Sequence, residues 1–246
     1  MRYQDAPKTK KILFTSGKGG VGKSTLTASF AKILYARGAR VLVVDFDIAL
    51  RTLDLMLNIG DRVLYDWADV IYGRCEPSEA ILHNAGGPDL LPAPLRGVTV
   101  TEAQIDDLLQ DYEEDYDYIL LDSPAGVGRG FEAAVCSADR AIIVSTPDKV
   151  SVRSAAVAAD RLVDRGIPAR LVINRFQKKT VDNGTALNID EVIDSTGLQL
   201  IGVVPEDAKL AQSVLNGAPL DQSGKGARAI ARILDRMQGQ EIPLKI

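Results

Sequence analysis

Cysteine, histidine and tryptophan are scarce in this 246-residue chain, which has two, one and one of them. Cys75 and Cys136 lie far apart and form no CxxC pair. Neither a disulfide framework nor a cysteine-rich metal knuckle can be built from them, and the pattern suits a reducing cytosol. The lone His83 has no neighbouring ligand residues and reads as structural or surface, and Trp67 has helical neighbours and reads as a packing residue. Basic charge is not in excess: Lys and Arg number 29 against 33 Asp and Glu, a formal charge of −4. A field of that sign disfavours a sequence-independent grip on DNA phosphates. No apolar run approaches the roughly eighteen residues that span a bilayer. The polar stretch 1–10 lacks the apolar centre of a signal peptide. These absences argue against a secreted or integral membrane protein and make the cytoplasm the expected compartment. They leave room for peripheral contact at the inner face of the cell membrane, made through partners.

What the sequence does have is a rhythm. Short apolar runs recur at Ile12–Phe14, Val41–Val44, Tyr118–Leu121, Ala141–Val144, Leu171–Ile173 and Leu200–Val204. None alternates with polar residues, as expected of strands buried on both faces in a parallel sheet. Between them lie stretches with helical spacing: Leu26, Phe30, Ile33 and Leu34; Leu210, Val214 and Leu215; Ile230, Ile233, Leu234 and Met237. Gly38 and Gly166 read as helix stops. The Gly- and Pro-rich segment 85–94 reads as a surface connection around a short strand. The alternation predicts one α/β domain over 1–246, a doubly wound, mostly parallel sheet with helices on both faces. The stretches 1–10 and 238–246 are expected as flexible termini.

The first strand runs into Gly17-Lys-Gly-Gly-Val-Gly-Lys-Ser24. Gly17, Gly19 and Gly22 satisfy GxGxxG, the weaker of two overlapping patterns. Gly17, Gly22, Lys23 and Ser24 satisfy GxxxxGK[ST], which is far more specific between a strand and a helix. Glycines there let backbone N–H groups turn inward around phosphate oxygens, and the helix beginning near Gly22 points its positive end at the same anion. Lys23 supplies a charge to the β and γ phosphates, and Ser24 a hydroxyl to Mg²⁺. The competing reading is a glycine-rich turn with an exposed lysine. Lys18 is a second cation in the loop, where phosphate binding alone needs one.

Residues 18–25, Lys-Gly-Gly-Val-Gly-Lys-Ser-Thr, resemble the deviant Walker A loop of the MinD/ParA family of P-loop (SIMIBI-type) ATPases, and of its MinD branch in particular. The likeness extends through Val44-Asp-Phe-Asp-Ile-Ala-Leu-Arg-Thr-Leu-Asp-Leu55, which resembles switch I, and Tyr118-Ile-Leu-Leu-Asp-Ser-Pro-Ala-Gly126, a Walker B strand leading to switch II. It continues in Leu171-Val-Ile-Asn-Arg175 and Val203-Val-Pro-Glu-Asp207, and covers the chain from Ile12 to about Met237. The resemblance implies ATP or ADP with Mg²⁺ as ligands and an ATP-dependent homodimer. Hydrolysis then serves as a spatial switch in choosing the division site or positioning another cellular assembly, with an activating or cargo protein as partner. The nucleotide is expected against Gly17, Lys18, Gly19, Gly20, Val21, Gly22, Lys23, Ser24 and Thr25. Lys18 would cross the dimer interface to the partner's nucleotide, Asp47 would position or activate the attacking water, and Ser24, Asp45 and Asp122 would form the metal's surroundings. Asp45 and Asp47 read alternatively as turn-capping acids, but an Asp at a strand's C-terminal end beside a phosphate loop favours the metal and water reading. Asn174 and Arg175 would lie at the adenine; Asn174 reads alternatively as a cap or turn residue. Pro205 would pack on the base, and Glu206 and Asp207 read alternatively as helix-start acids.

Three departures from the family pattern stand out. The helical stretch 227–237 is amphipathic, but only 238–246 follows it, with Pro243 and one basic residue, so membrane contact through the tail is expected to be weak or indirect. Ser154 stands where MinD proteins often carry an acid used for partners, and Ala49 replaces a switch I glycine. Three other functions on the same fold compete. A ParA-type DNA-partitioning ATPase needs a basic face, for which Arg161, Arg165, Arg170, Lys178 and Lys179 are candidates, but the acidic total makes nucleic acid the less favoured partner. An iron–sulfur carrier needs paired cysteines, and Cys136 reads as a buried helix residue. A ligase or amidase needs a second substrate site, for which no candidate is evident.

Overall fold

The computed structural model describes residues 9–48 and 50–245; Ala49, the switch I departure, lies outside them, as does most of the expected N-terminal tail. Among the described residues, seven strands form one sheet: β1 (Lys10–Thr15), β2 (Val41–Asp45), β3 (Asp89–Leu91), β4 (Tyr118–Asp122), β5 (Arg140–Ser145), β6 (Ala169–Phe176) and β7 (Leu200–Pro205). Their order is β3-β2-β4-β1-β5-β6-β7, and every pairing is parallel. The six apolar runs are six of these strands, and the short strand within 85–94 is the seventh, at the sheet's edge. An isolated antiparallel bridge joins Leu82 to Leu90.

Because successive side chains leave a strand on opposite faces, the sheet divides its apolar residues between two cores. Leu13, Val44, Leu121 and Ile143 enter one, with Trp67, Phe131, Ala155 and Leu162. Ile12, Phe14, Val43 and Leu120 enter the other, with Phe30, Leu53, Val214, Ile230 and Ile233. Phe14 and Phe30 meet edge to face at 5.0 Å between ring centres there. The helices supplying this second face are α1 (Lys23–Ala36), α2 (Leu53–Met56), α10 (Ala208–Leu215) and α11 (Lys225–Met237). The first face is covered by α3 (Trp67–Ile71), α5 (Glu102–Gln110), α6 (Arg129–Val135), α7 (Lys149–Asp164) and α9 (Ile189–Thr196). Short helices α4 (Pro77–Ala80) and α8 (Lys178–Asp182) complete the set.

Local chemistry sets the helix ends. The Asp148 side chain accepts from Ser151 N at the start of α7, and Thr101–Gln104 and Asn188–Glu191 form capping boxes on α5 and α9. The helices α1 and α7 stop just before Gly38 and Gly166, as expected. Helix α11 buries Ala227, Ala229, Ile230, Ile233 and Leu234, so its apolar stripe faces the core. Leu215, assigned by spacing to the buried face of α10, is exposed, because the helix ends there. At the two ends of the chain, Lys10 opens β1, and Arg236 donates from Nε to Ile242 O (2.9 Å) and from Nη2 to Pro243 O (2.8 Å).

All parallel strands end on one edge, where an open α/β sheet binds its ligands. The ends of β1, β2, β4, β6 and β7 carry the phosphate loop, Asp45, Asp122, Asn174 and Pro205. Asp45 and Asp122 are direct register partners on neighbouring strands. Beneath them Trp67 donates from Nε1 to the Asp45 carbonyl at 2.9 Å and packs on Phe46. Trp67→Phe removes the donor from a buried carbonyl and leaves a gap. Denaturant titration should show a loss of about 2–4 kcal/mol; an unchanged midpoint would mean that this strut is not needed.

Candidate nucleotide site

The loop after β1 is shaped by close approaches from distant segments. Gly22 caps α1 in the left-handed region (φ 91°), and a Cβ there would lie 2.5 Å from Asn174 Nδ2. At Gly17 a Cβ would lie 1.9 Å from the backbone oxygen of Ser154. The first glycine is therefore required by the pressing of α7 against the loop, a reason that the spacing did not reveal. Ser16 Oγ donates to Lys18 O, and Gly126 N to Ser16 O at 2.9 Å, tying the start of switch II to the loop. Helix α1 carries no acid in its first turn, so nothing there opposes an anion at its positive end.

Beneath the loop is a buried polar cluster. Asp122 Oδ2 accepts from Lys23 Nζ at 2.8 Å and from Ser24 Oγ at 2.6 Å, and Oδ1 accepts from Thr27 Oγ1 at 2.6 Å. Asp45 Oδ1 accepts from the backbone N–H of Asp47 at 2.8 Å. Its other oxygen, Oδ2, is buried with no hydrogen-bond partner. Burial, and then the neighbouring Asp122 charge, push the Asp45 carboxyl up to about 7. Burial also raises Asp47, which is half exposed. An orphaned carboxylate oxygen beside a second carboxylate and a serine hydroxyl is a hard-oxygen donor set that fits Mg²⁺. Among the described residues no three His, Cys, Asp or Glu side chains form a ready-made metal cage. Mg²⁺ is generally held by one or two carboxylates, with phosphate and water completing its shell.

Besides Gly17, Gly19, Gly20 and Val21 of the loop itself, the residues expected at the nucleotide fall into three groups. Lys23, Ser24, Asp45 and Asp122 come together under the loop, with Asp47 at its rim. Lys18 is exposed, pointing along the outside, with Nζ 3.6 Å from Asp148 Oδ1. Gly22, Thr25, Asn174, Arg175, Pro205, Glu206 and Asp207 line one small recess beside the loop, together with Leu210. Within it Asn174 is neither a helix cap nor an unengaged reader: Nδ2 donates to Val21 O at 2.8 Å and braces the loop. Asp207 is the helix-start acid of its alternative reading. Its carboxylate accepts from Lys209 and Leu210 N and from Gly226 N, joining α10 to α11.

Several contributors escaped sequence reasoning. Thr27 had one signal, a polar residue on the buried stripe of α1. Asp148 had another, an acid just after the proline that follows β5. Ser123, whose Oγ donates to Thr15 Oγ1 at 2.9 Å, had none. Two side readings also change. Arg165, a candidate for a basic face, is engaged by Glu102 and Glu132. Cys136 is the half-buried residue closing α6, and burial raises both cysteine thiols.

The Asp45 shift has a definite sign. A carboxyl whose folded value exceeds its unfolded one binds a proton more readily when folded, so stability falls as pH rises from about 4 to about 7 and then levels. Without nucleotide or divalent metal, the stability difference between wild type and Asp45→Asn should therefore change by a few kcal/mol across that window. Parallel pH curves for the two proteins would contradict the assignment.

Comparison with known proteins agrees with this geometry. The sequence model of the CobQ/CobB/MinD/ParA nucleotide-binding domain matches residues 12–220. The septum site-determining protein MinD of Bacillus subtilis is 36% identical over 96% of this chain and 91% of its own. Among solved structures, the MinC:MinD cell division protein complex of Aquifex aeolicus superposes with a TM-score of 0.90 at 35% identity, covering 97% of this chain and 99% of that one. MinD of Pyrococcus horikoshii, solved with Mg-ADP, gives a TM-score of 0.83 at 26% identity, over 95% and 100% of the two chains. With the phosphate loop, the paired strand-end aspartates and these relatives in agreement, the chain belongs to the MinD branch of the MinD/ParA family of ATPases.

Proposed function

We propose that this ATPase binds Mg²⁺ and ATP at residues 17–25, dimerises on ATP, and uses hydrolysis as a spatial switch in division-site selection. The observation that carries this reading is the cluster of Lys23, Ser24 and Asp122 under the loop, with the unpartnered Asp45 oxygen beside it. Lys23 exchanges Asp122 for β and γ phosphate oxygens, and the loop's backbone N–H groups take the rest of the charge. Ser24, Asp45 and Asp122 would hold Mg²⁺, which would supply positive charge against the phosphate oxygens when bound. Asp47 orients the attacking water and takes up its proton; its raised carboxyl is suited to accepting one. The base enters the recess lined by Asn174, Arg175, Pro205 and Glu206.

Lys18 has no obligatory place within one subunit's phosphate site. We assign it to the facing subunit's nucleotide, where a cation acts as charge develops. In the single chain its ammonium is steadied by Asp148. Burial alone would raise the Asp148 carboxyl, but hydrogen bonds from Thr146 and Ser151, and then the Lys18 charge, hold it below the usual range. The homodimer, an activating or cargo protein as partner, and action in the cytoplasm are parts of the same proposal. Among the described residues no helix is long and apolar enough to cross a membrane. Membrane contact, weak or made through partners, belongs to the same proposal.

Calorimetry, size exclusion and phosphate release test these roles together. Lys23→Ala should weaken ATP binding by roughly ten- to a hundredfold, the loss of one charge-assisted contact to phosphate. Normal ATP affinity in that variant would refute the loop assignment.

Asp47→Ala should bind ATP and accumulate as the ATP dimer, with turnover reduced about 10²–10⁴-fold. Lys18→Ala should bind ATP yet stay monomeric and inactive. Wild-type turnover by Lys18→Ala, at concentrations too low for any dimer, would return Lys18 to an exposed loop lysine.

A further inference from the structure

Lys32 lies on the third turn of α1, away from the phosphate loop, and it is not a surface lysine. It is half-buried, and its ammonium donates to Met56 O and to Ala218 O, each at 3.0 Å. Burial holds it below the ordinary lysine value, and among the described residues no carboxylate pairs with it. A cation buried against two neutral carbonyls costs desolvation that a leucine would avoid. Its position therefore calls for a reason beyond packing.

The two carbonyls belong to different parts of the site. Met56 is the last residue of α2, whose terminal carbonyls have no partner within the helix. From α2 a short chain of contacts leads back to the catalytic segment. Asp54 pairs with Arg51 at 3.1 Å, and Arg51 N donates to the carbonyl of Asp47 at 3.2 Å. Ala218 follows the end of α10, whose first turns, through Leu210 and Ala211, line the base recess. Next to Lys32 these two helix ends touch through their backbones. Gly217 sits at φ 65°, and a Cβ there would lie 2.7 Å from Asn58 Cβ and 2.8 Å from Leu55 O. The end of α10 thus abuts the end of α2, and the ammonium of Lys32, carried on the helix that starts at the phosphates, ties both.

We infer that Lys32 is a positioning residue that couples the base recess to switch I: a base seated against α10 fixes the end of α2, and through it the backbone that carries Asp47. The inference rests on the nucleotide roles proposed above. It goes beyond them by giving adenine recognition an effect on the hydrolysis step, exerted through a lysine that touches neither nucleotide nor water. It requires Lys32 to affect turnover more than binding, since the phosphate contacts lie two turns away on α1.

The test uses the full chain and ADP with Mg²⁺, a ligand that fills the recess without a γ-phosphate. Hydrogen exchange is followed at residues 53–59 and 208–216, beside steady-state ATP turnover and thermal unfolding. In wild type, ADP should slow exchange in both segments. In Lys32→Met, which keeps the aliphatic stem, ADP should still bind and protect 208–216, protection of 53–59 should be lost, and kcat should fall about tenfold or more with KM little changed. Lys32→Arg, which keeps a cation with several donors, should restore much of both. Gly217→Ala leaves Lys32 in place and forces the two helix ends apart. It should show the same split and serves as the deciding variant if Lys32→Met does not fold. Protection of 53–59 and wild-type kcat in Lys32→Met, or in Gly217→Ala where that variant decides, would overturn the coupling while leaving the ATPase reading intact. A wild-type protein that neither binds ADP nor hydrolyses ATP would remove both.

Discussion

The site depends on two carboxylates, Asp45 and Asp122, that stand side by side at the ends of neighbouring parallel strands, each about 1% exposed. Like charges placed so close in a poorly solvated position cannot both ionise without compensation. Asp122 receives it from a buried lysine and two hydroxyls of α1, whereas Asp45 receives one backbone N–H and keeps a bare oxygen. The asymmetry explains why burial and the Asp122 charge raise Asp45 so far. A divalent cation between the two would remove the repulsion and engage the bare oxygen, so the arrangement is better suited to the loaded protein than to the protein alone. Charge compensation and ligand binding are here one physical problem, and the fold solves it by running β2 and β4 to a common end.

The second constraint is how closely helices press on the phosphate loop. Gly17 admits no side chain because the Ser154 backbone occupies that space, and Asp148 at the start of the same α7 reaches toward Lys18. The loop is therefore held from below by the Asp122 cluster, from one side by Asn174 through Val21, and from the other by α7. A loop held at three points cannot change shape on one side alone.

How much of this could be read from residues alone follows from the range of each interaction. Buried parallel strands declare themselves as unbroken apolar runs, and the phosphate loop declares itself because glycines, Lys23 and Ser24 must occur at fixed spacing along one turn. Asp45, Asp47 and Asp122 were legible because they stand at the ends of such runs. Contacts between distant segments were not. No local pattern announces that Gly17 meets Ser154, that Asn174 braces Val21, or that Asp207 joins α10 to α11. Asn174 shows the difference well: its place at a strand end was visible, but its donor is engaged by a carbonyl 153 positions away.

Lys32 carries the same point into energetics. From the sequence it is one more polar residue on an amphipathic helix, and the expected place for a lysine is water. Its burial against two carbonyls means that the favourable contacts of the fold tolerate an uncompensated cation there. Such a cost persists where the alternative is worse, and here the alternative is the last carbonyl of α2 and the carbonyl of Ala218, just past α10, with no side chain bridging them. The paired carboxylates at the strand ends and the lysine between the helices thus treat charge in opposite ways. The acids are left partly unsatisfied, so that a ligand completes them. The lysine is bonded at once to the end of α2 and to the segment leaving α10, so that a shift in either is transmitted to the other. A switch requires both: a centre that is incomplete without its ligand, and a frame stiff enough to report when that ligand arrives.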